Sequence, residues 1–314
     1  MKKLSGIIVP MATPLCDPRT LDKEGVAKMV EHLVSGGVDG IFLLGTTGEG
    51  PQLPYALRRG LVAETCARVA GRVAVLAGIT ETDLDAALDF ARFCADAGAS
   101  AAVAAAPYYF KLSQDECIAW YTEMADRLPL PLVLYNMPSH TDTSLAPATM
   151  ATLAAHPNIV ALKDSSGAIS YFNEVRVAVE PFAGKFSIFM GPDAAVGEAV
   201  LMGADGGVCT GANLWPKIFK ELYLAAKAGD LPRVRDLQRF TTASNMKIYA
   251  VGSGHSSILR GVKAALSKMG LIKNVLATPF EPFSGADLGK IEVCYNELRE
   301  LADALISRGS KQSH

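Results

Sequence analysis

The first two-thirds of the chain repeats one pattern: a short apolar run, a polar turn, an amphipathic stretch, then glycine. The apolar runs begin near Ile7, Val38, Val73, Ala101, Pro131, Ile159, Phe186 and Gly206, eight in all. Several are continuous rather than alternating, as in Ile41-Phe42-Leu43-Leu44 and Leu132-Val133-Leu134-Tyr135. Strands buried on both faces read this way, because neither face has to be polar. The stretches between them carry helix boundaries. Asp22 stands at an N-cap position, Val26, Met29, Val30, Leu33 and Val34 share one face, and Gly36-Gly37 ends the helix. Thr82 opens another, with Asp85 three residues on, Leu88, Ala91 and Cys94 on one face, and Gly98 as its stop. Eight strand–helix units predict an α/β chain closed as a (β/α)8 TIM barrel. An open doubly wound sheet is the alternative. It favours a glycine-rich phosphate turn after the first strand, and Val9-Pro10-Met11-Ala12-Thr13-Pro14 is not one.

After about Trp215 the strand pattern stops, while helical patterns continue through Ser257–Leu266 and from Leu288 to Ile306. The expected organisation is a barrel at 1–228, a helical C-terminal extension at 229–306 and a frayed polar tail at 307–314. A length of 314 residues suits one such barrel with an addition.

Composition narrows the class. Half of the residues are apolar, enough for a full core, and 30 basic against 32 acidic residues give a net charge of −2. Without a basic stripe or acidic tail, neither nucleic acid nor an anionic membrane is an expected partner. The longest apolar runs are too short to span a bilayer. Met1-Lys2-Lys3 followed by Gly6–Pro10 superficially resembles a signal peptide, but Pro10 and Pro14 interrupt it, and a first strand explains it better. The six cysteines (Cys16, Cys66, Cys94, Cys117, Cys209, Cys294) form no CxxC pair and read as buried hydrophobes in a reducing compartment. Cytoplasm is the expected location. Among the histidines (His32, His140, His156, His255, His314) there is no i,i+4 pair or HExxH, so no metal site is expected. Neither a GxSxG elbow nor a GxxxxGK loop occurs.

In a (β/α)8 barrel the site lies where the strands end, so the polar residues that finish the apolar runs matter most. The second run ends in Gly45-Thr46-Thr47-Gly48-Glu49, either a nest of donors for a small carboxylate or an ordinary capped turn. The fourth ends in Pro107-Tyr108-Tyr109 and the fifth in Tyr135-Asn136-Met137-Pro138, where a tyrosine can equally be packing. The sixth, Ile159-Val160-Ala161-Leu162-Lys163-Asp164, ends on a lysine. Burial disfavours a charged lysine in general, and a neutral amine in an apolar pocket is what imine formation with a ketone requires. The bland alternatives are a lysine with its head in water, or one paired with Asp164. Tyr135, ending the adjacent strand, favours the chemical reading by offering a proton donor and acceptor. His140, just past Tyr135, is the only histidine placed near the site, or else it is a solvated loop residue.

Taken together, these motifs, in this order from about Gly6 to about Leu271, resemble the dihydrodipicolinate synthase / N-acetylneuraminate lyase family. The resemblance implies a homotetramer that uses no metal or organic cofactor. It implies that Lys163 forms a Schiff base with C2 of pyruvate or another 2-oxo acid and that Tyr135 relays protons. Thr46 would link Tyr135 to a Tyr109 lent by a neighbouring subunit. Thr47, with Thr46, would hold the 2-oxo acid's carboxylate, and Val208 would line the pocket. Two departures bear on substrate. Dihydrodipicolinate synthases carry an arginine two residues after the proline of their YNxP motif, where this chain has His140. Their Asn-Pro-x-Pro-x-Lys segment is replaced by Ser256-Ser257-Ile258-Leu259-Arg260-Gly261-Val262-Lys263. An imidazole does not substitute for a bidentate guanidinium clamp. The reading is therefore a lyase or aldolase that makes or breaks a C–C bond between a 2-oxo acid and an aldehyde, with a 2-oxo sugar acid as substrate type. The alternatives are 4-hydroxy-tetrahydrodipicolinate synthase and, in another class, a non-catalytic 2-oxo acid sensor.

Overall fold

A computed structural model describes residues 3–254 and 256–312. Eight parallel strands close into a barrel: β1 (Gly6–Pro10), β2 (Gly40–Leu43), β3 (Ala74–Gly78), β4 (Ala101–Ala105), β5 (Leu132–Asn136), β6 (Ile159–Asp164), β7 (Ser187–Met190) and β8 (Gly206–Val208), with β8 pairing back onto β1. All eight predicted runs are strands of this barrel. A small antiparallel hairpin, Leu15–Asp17 with Thr20–Leu21, follows β1.

Side chains on alternate strand positions divide into two layers, as the period of two requires. One set, including Ile8, Phe42, Leu76, Val103, Val133, Ala161, Phe189 and Val208, fills the barrel interior. The other packs against the surrounding helices and forms the larger core. Inside, the alanines Ala101, Ala105 and Ala161 leave room for the rings of Phe42 and Phe189, which keeps the interior close-packed. At the β1–β8 seam, a Cβ on Gly206 would lie 1.8 Å from the Gly6 carbonyl oxygen, so the barrel closes there only on glycine.

The connecting helices are α1 (Lys23–Ser35), α2 (Tyr55–Val69), α3 (Leu84–Asp96), α4 (Gln114–Arg127), α5 (Pro147–Ala154), α6 (Ile169–Ala178) and α7 (Val196–Leu201). Asp22 caps α1 through the Gly25 amide, as its sequence predicts. For α3 the cap is Asp83, which accepts from the Asp85 amide, one residue beyond the expected Thr82. The eighth barrel helix is α8 (Pro216–Ala228), and past it come α9 (Leu231–Ile248), α10 (Ser257–Lys268) and α11 (Gly285–Gln312). The last of these runs on through residues 307–312, where a polar tail is expected. Met1, Lys2, His255, Ser313 and His314 lie outside the described residues. No helix among the described residues is long and apolar enough to cross a membrane.

Candidate active site

The C-terminal ends of β2, β5, β6 and β8 bring most of the expected residues together. In the β5–β6 register, Tyr135 lies directly opposite Lys163. Lys163 follows Ala161 by two positions and therefore shares its inward face. It is 5% exposed, with Nζ 4.0 Å from the centre of the Tyr135 ring and 5.1 Å from that of Phe42. The Phe42 and Tyr135 rings meet edge to face at 6.4 Å and form two walls of the pocket. Val208 is buried in the same interior cluster.

Asp164 is not the partner of Lys163. The strand's alternation turns it to the other face, where its carboxylate accepts from Asn136 Nδ2 (2.9 Å), the Ser166 amide (3.0 Å) and Ser166 Oγ (3.0 Å). Burial raises its pKa against those hydrogen bonds. The lysine head instead faces the Tyr135 and Phe42 rings and hydrogen-bonds with the Tyr135 hydroxyl.

Thr46 Oγ1 lies 3.3 Å from the Tyr135 hydroxyl. For that phenol, burial is the largest single effect and pushes its pKa up. The charge of Lys163 and hydrogen bonds with Thr46, Lys163 and Ser165 together outweigh it, leaving the phenol below its ordinary value. A phenol shifted this way gives and takes protons more readily near neutral pH. Thr47 Oγ1 hydrogen-bonds Thr210 Oγ1 at 2.9 Å, so the turns after β2 and β8 meet hydroxyl to hydroxyl.

The turn that carries Thr46 and Thr47 is strained. Leu44 (φ 62°) and Glu49 (φ 56°) are both non-glycine residues in the left-handed region, at a cost of roughly 1–2 kcal/mol each. A Cβ on Gly50 would fall 2.0 Å from the Leu44 carbonyl oxygen, so the turn has no slack. Strain held in place by its surroundings concentrates at functional sites.

Two expected residues stand apart. Tyr109 is 80% exposed, with its ring edge-on to Phe110, and among the described residues no hydrogen bond joins it to Thr46 or Tyr135. His140 lies exposed in the one-turn helix Pro138–Thr141, its Nδ1 3.0 Å from Ser139 Oγ. Sequence reasoning missed Thr210, Ser165 and Asp193. Thr210 and Asp193 follow strand ends, and the rule that picked Thr46 applies equally to both. Asp193 is buried, which pushes its carboxyl up to about 6 despite hydrogen bonds from Tyr249, Gly211 and Thr210 and the charge of Lys163. Among the described residues no three His, Cys, Asp or Glu side chains converge as metal ligands.

This geometry can be set beside known proteins. The model of the dihydrodipicolinate synthetase family matches residues 3–298. The probable 2-dehydro-3-deoxy-D-pentonate aldolase YjhH of Escherichia coli is 35% identical over 240 residues, 76% of this chain and 80% of that protein. A solved dihydrodipicolinate synthase from Bacteroides thetaiotaomicron superposes with a TM-score of 0.91 at 43% identity, covering 94% of this chain and 98% of that one. The Escherichia coli prophage protein YagE, solved in complex with pyruvate, gives 0.89 at 27% identity, covering 94% and 99%.

Proposed function

This chain belongs to the dihydrodipicolinate synthetase family, and from that premise we propose that Lys163 is its Schiff-base lysine and Tyr135 its proton relay. The chain is a lyase of the class I aldolase type, forming a Schiff base with pyruvate or another 2-oxo acid. One observation carries the residue assignment: Tyr135 is paired in register with Lys163, its ring 4.0 Å from Nζ, and its hydroxyl meets Thr46.

The amine nitrogen attacks C2 of the 2-oxo acid, and the carbonyl oxygen takes a proton from Tyr135 to give a carbinolamine. The tyrosinate recovers a proton from the attacking nitrogen, and Tyr135 then protonates the hydroxyl, which leaves as water to give the protonated imine. The tyrosinate then takes a C3 proton to give the enamine, whose C3 attacks the aldehyde while Tyr135 returns that proton to the new alkoxide; water hydrolyses the imine to free Lys163, and cleavage runs the same steps backwards. Thr46 and Thr47 donate hydrogen bonds to the carboxylate of the 2-oxo acid, while Val208 and Phe42 exclude water. Tyr109 serves a neighbouring copy of the chain in a homotetramer, which accounts for an exposed tyrosine edge-on to Phe110. The reaction needs no metal or organic cofactor, and the enzyme is cytoplasmic.

For the aldehyde, the turn at Ser139 and His140 offers hydrogen bonds rather than a fixed cation, favouring a hydroxyaldehyde and hence a 2-oxo sugar acid as the cleavage substrate; Thr141, next in the turn, is buried with its hydroxyl bonded to the Met137 and Thr143 carbonyls. The likeness to the pentonate aldolase supports this. Condensation with aspartate semialdehyde, the synthase reaction, is the second reading, supported by the 43% identical Bacteroides synthase.

Two experiments test the proposal. Borohydride with pyruvate is expected to add one covalent group per chain at Lys163, and Lys163→Ala or Lys163→Arg to abolish it, since a guanidinium does not attack a carbonyl. Labelling elsewhere overturns the assignment. Steady-state comparison of hydroxyaldehydes, glyoxylate and aspartate semialdehyde then fixes the partner; a clear preference for the semialdehyde replaces the first reading with the second.

A further inference from the structure

Beneath the site the chain buries two opposite charges completely. Glu49 and Lys263 are each 0% exposed and form an ion pair with one another. Glu49 Oε1 also accepts from the Ala277 amide at 2.7 Å, and Lys263 Nζ donates to the Val275 carbonyl at 2.7 Å. Glu49 ends the Gly45–Glu49 turn, and its own amide donates to the Thr46 carbonyl at 3.1 Å. Lys263 lies in α10, and Val275 and Ala277 lie in the segment after it. The turn presenting Thr46 and Thr47 is therefore fastened at its far end to the C-terminal extension.

The opposite side of the pocket is tied to the same extension. Tyr249, just past the end of α9, donates its hydroxyl to Asp193 Oδ2 at 2.7 Å, and that oxygen also accepts from the Gly211 amide at 2.8 Å. Gly211 follows Thr210, whose hydroxyl meets that of Thr47. Both hydroxyls at the mouth of β2 and β8 are thus backed by helices that contribute no strand to the barrel.

Stability alone does not explain the pair. Removing two ions from water costs more than their attraction dependably returns, and well-packed apolar residues in such places are commonly as stable or more so. What the pair supplies is geometry: two fixed acceptors and donors that leave the strained turn one position.

We propose that Glu49 and Lys263 are positioning residues that hold Thr46 and Thr47 in place for the substrate's carboxylate, making the C-terminal extension part of the active site. This rests on the reading of Thr46, Thr47 and Lys163 given above. A misplacement of about 1 Å in such a site can cost on the order of 100-fold in rate.

The test uses the double variant Glu49→Gln/Lys263→Met, which leaves no uncompensated charge, together with Glu49→Asp, which keeps the charge but shortens its arm by one methylene. The readouts are the pyruvate KM in the turnover assay and borohydride trapping with pyruvate. KM does not depend on how much of the preparation is folded, so partial unfolding lowers the apparent kcat without imitating the expected effect. Both variants are expected to raise the pyruvate KM about tenfold or more, while saturating pyruvate still labels Lys163. A pyruvate KM within twofold of the parent in either variant, with activity following only the folded fraction, overturns the positioning role. If the parent protein itself does not label at Lys163, the underlying reading of the site fails instead, and this inference falls with it.

Discussion

Replacing Tyr135 by phenylalanine separates the chemistry from the scaffold. The substitution keeps the ring, and with it the edge-to-face contact with Phe42 at 6.4 Å and the aromatic face under Lys163 Nζ. Only a hydroxyl is lost. Its contact with Thr46 Oγ1 is 3.3 Å, longer than a strong O–H···O bond. The hydroxyl also hydrogen-bonds with Lys163 and Ser165; at about 1 kcal/mol net for each bond, the stability loss is at most about 3 kcal/mol. For a chain this large, that is a melting shift of no more than about 6–12 °C. A positioned acid–base group, by contrast, contributes on the order of 10²–10⁴-fold, which is about 2.7–5.5 kcal/mol of barrier. The rate loss should therefore exceed anything the stability change can produce. The assay is kcat for C–C cleavage or condensation at saturating pyruvate, alongside thermal unfolding of the same preparation. A kcat within threefold of the parent removes Tyr135 from the proton relay. A large rate loss accompanied by a melting shift far beyond about 12 °C means that the hydroxyl serves the fold rather than the reaction.

Two further substitutions test specificity and pH dependence. His140→Arg places a guanidinium in the turn after β5, and one charge-assisted hydrogen bond is worth roughly 1.5–3 kcal/mol, or about 10–150-fold in kcat/KM. The ratio of kcat/KM for aspartate semialdehyde to that for a neutral hydroxyaldehyde should rise within that range; an unchanged ratio removes position 140 from aldehyde selection. Asp193 bears on stability, because its carboxyl is raised from 3.8 to about 6. Between those values the folded protein keeps a proton that the unfolded chain has released, so this group's contribution to stability falls as pH rises from about 4 to about 6. Asp193→Asn should remove a fall on the order of 2–3 kcal/mol, read from urea unfolding at pH 4 to 7. An identical slope in the variant refutes the assignment.

The barrel was legible because its strands are buried on both faces and interrupted by strong helix signals, so periodicity alone counted eight units. Lys163 stood out for the same reason: a strand reading Ile-Val-Ala-Leu cannot easily end on an amine without a use for it. What periodicity could not supply was register. That Tyr135 pairs with Lys163, and Asn136 with Asp164, depends on the alignment of two strands, which the pattern within each strand leaves open. A slip of one position would have turned the lysine out of the barrel. The same margin explains the cap of α3, where Thr82 and Asp83 are neighbours of similar capping strength and only the observed backbone selects the second.

The contacts that reach from the extension back to the barrel were not legible at all. Glu49 was visible as the end of a motif and Lys263 as one residue of a divergent segment, but no local pattern links positions so far apart in the chain. Their pairing follows from where α10 packs, and that packing is decided by apolar residues that carry no chemical signal: Val262, Ala264, Ala265 and Leu266 are all completely buried. A helix held by those side chains has a fixed rotation, and Lys263 between them has no route to solvent. It must meet a buried acceptor, and the strained turn provides one in Glu49. The apolar face of an otherwise unremarkable helix thus determines where a charge lands beneath the site.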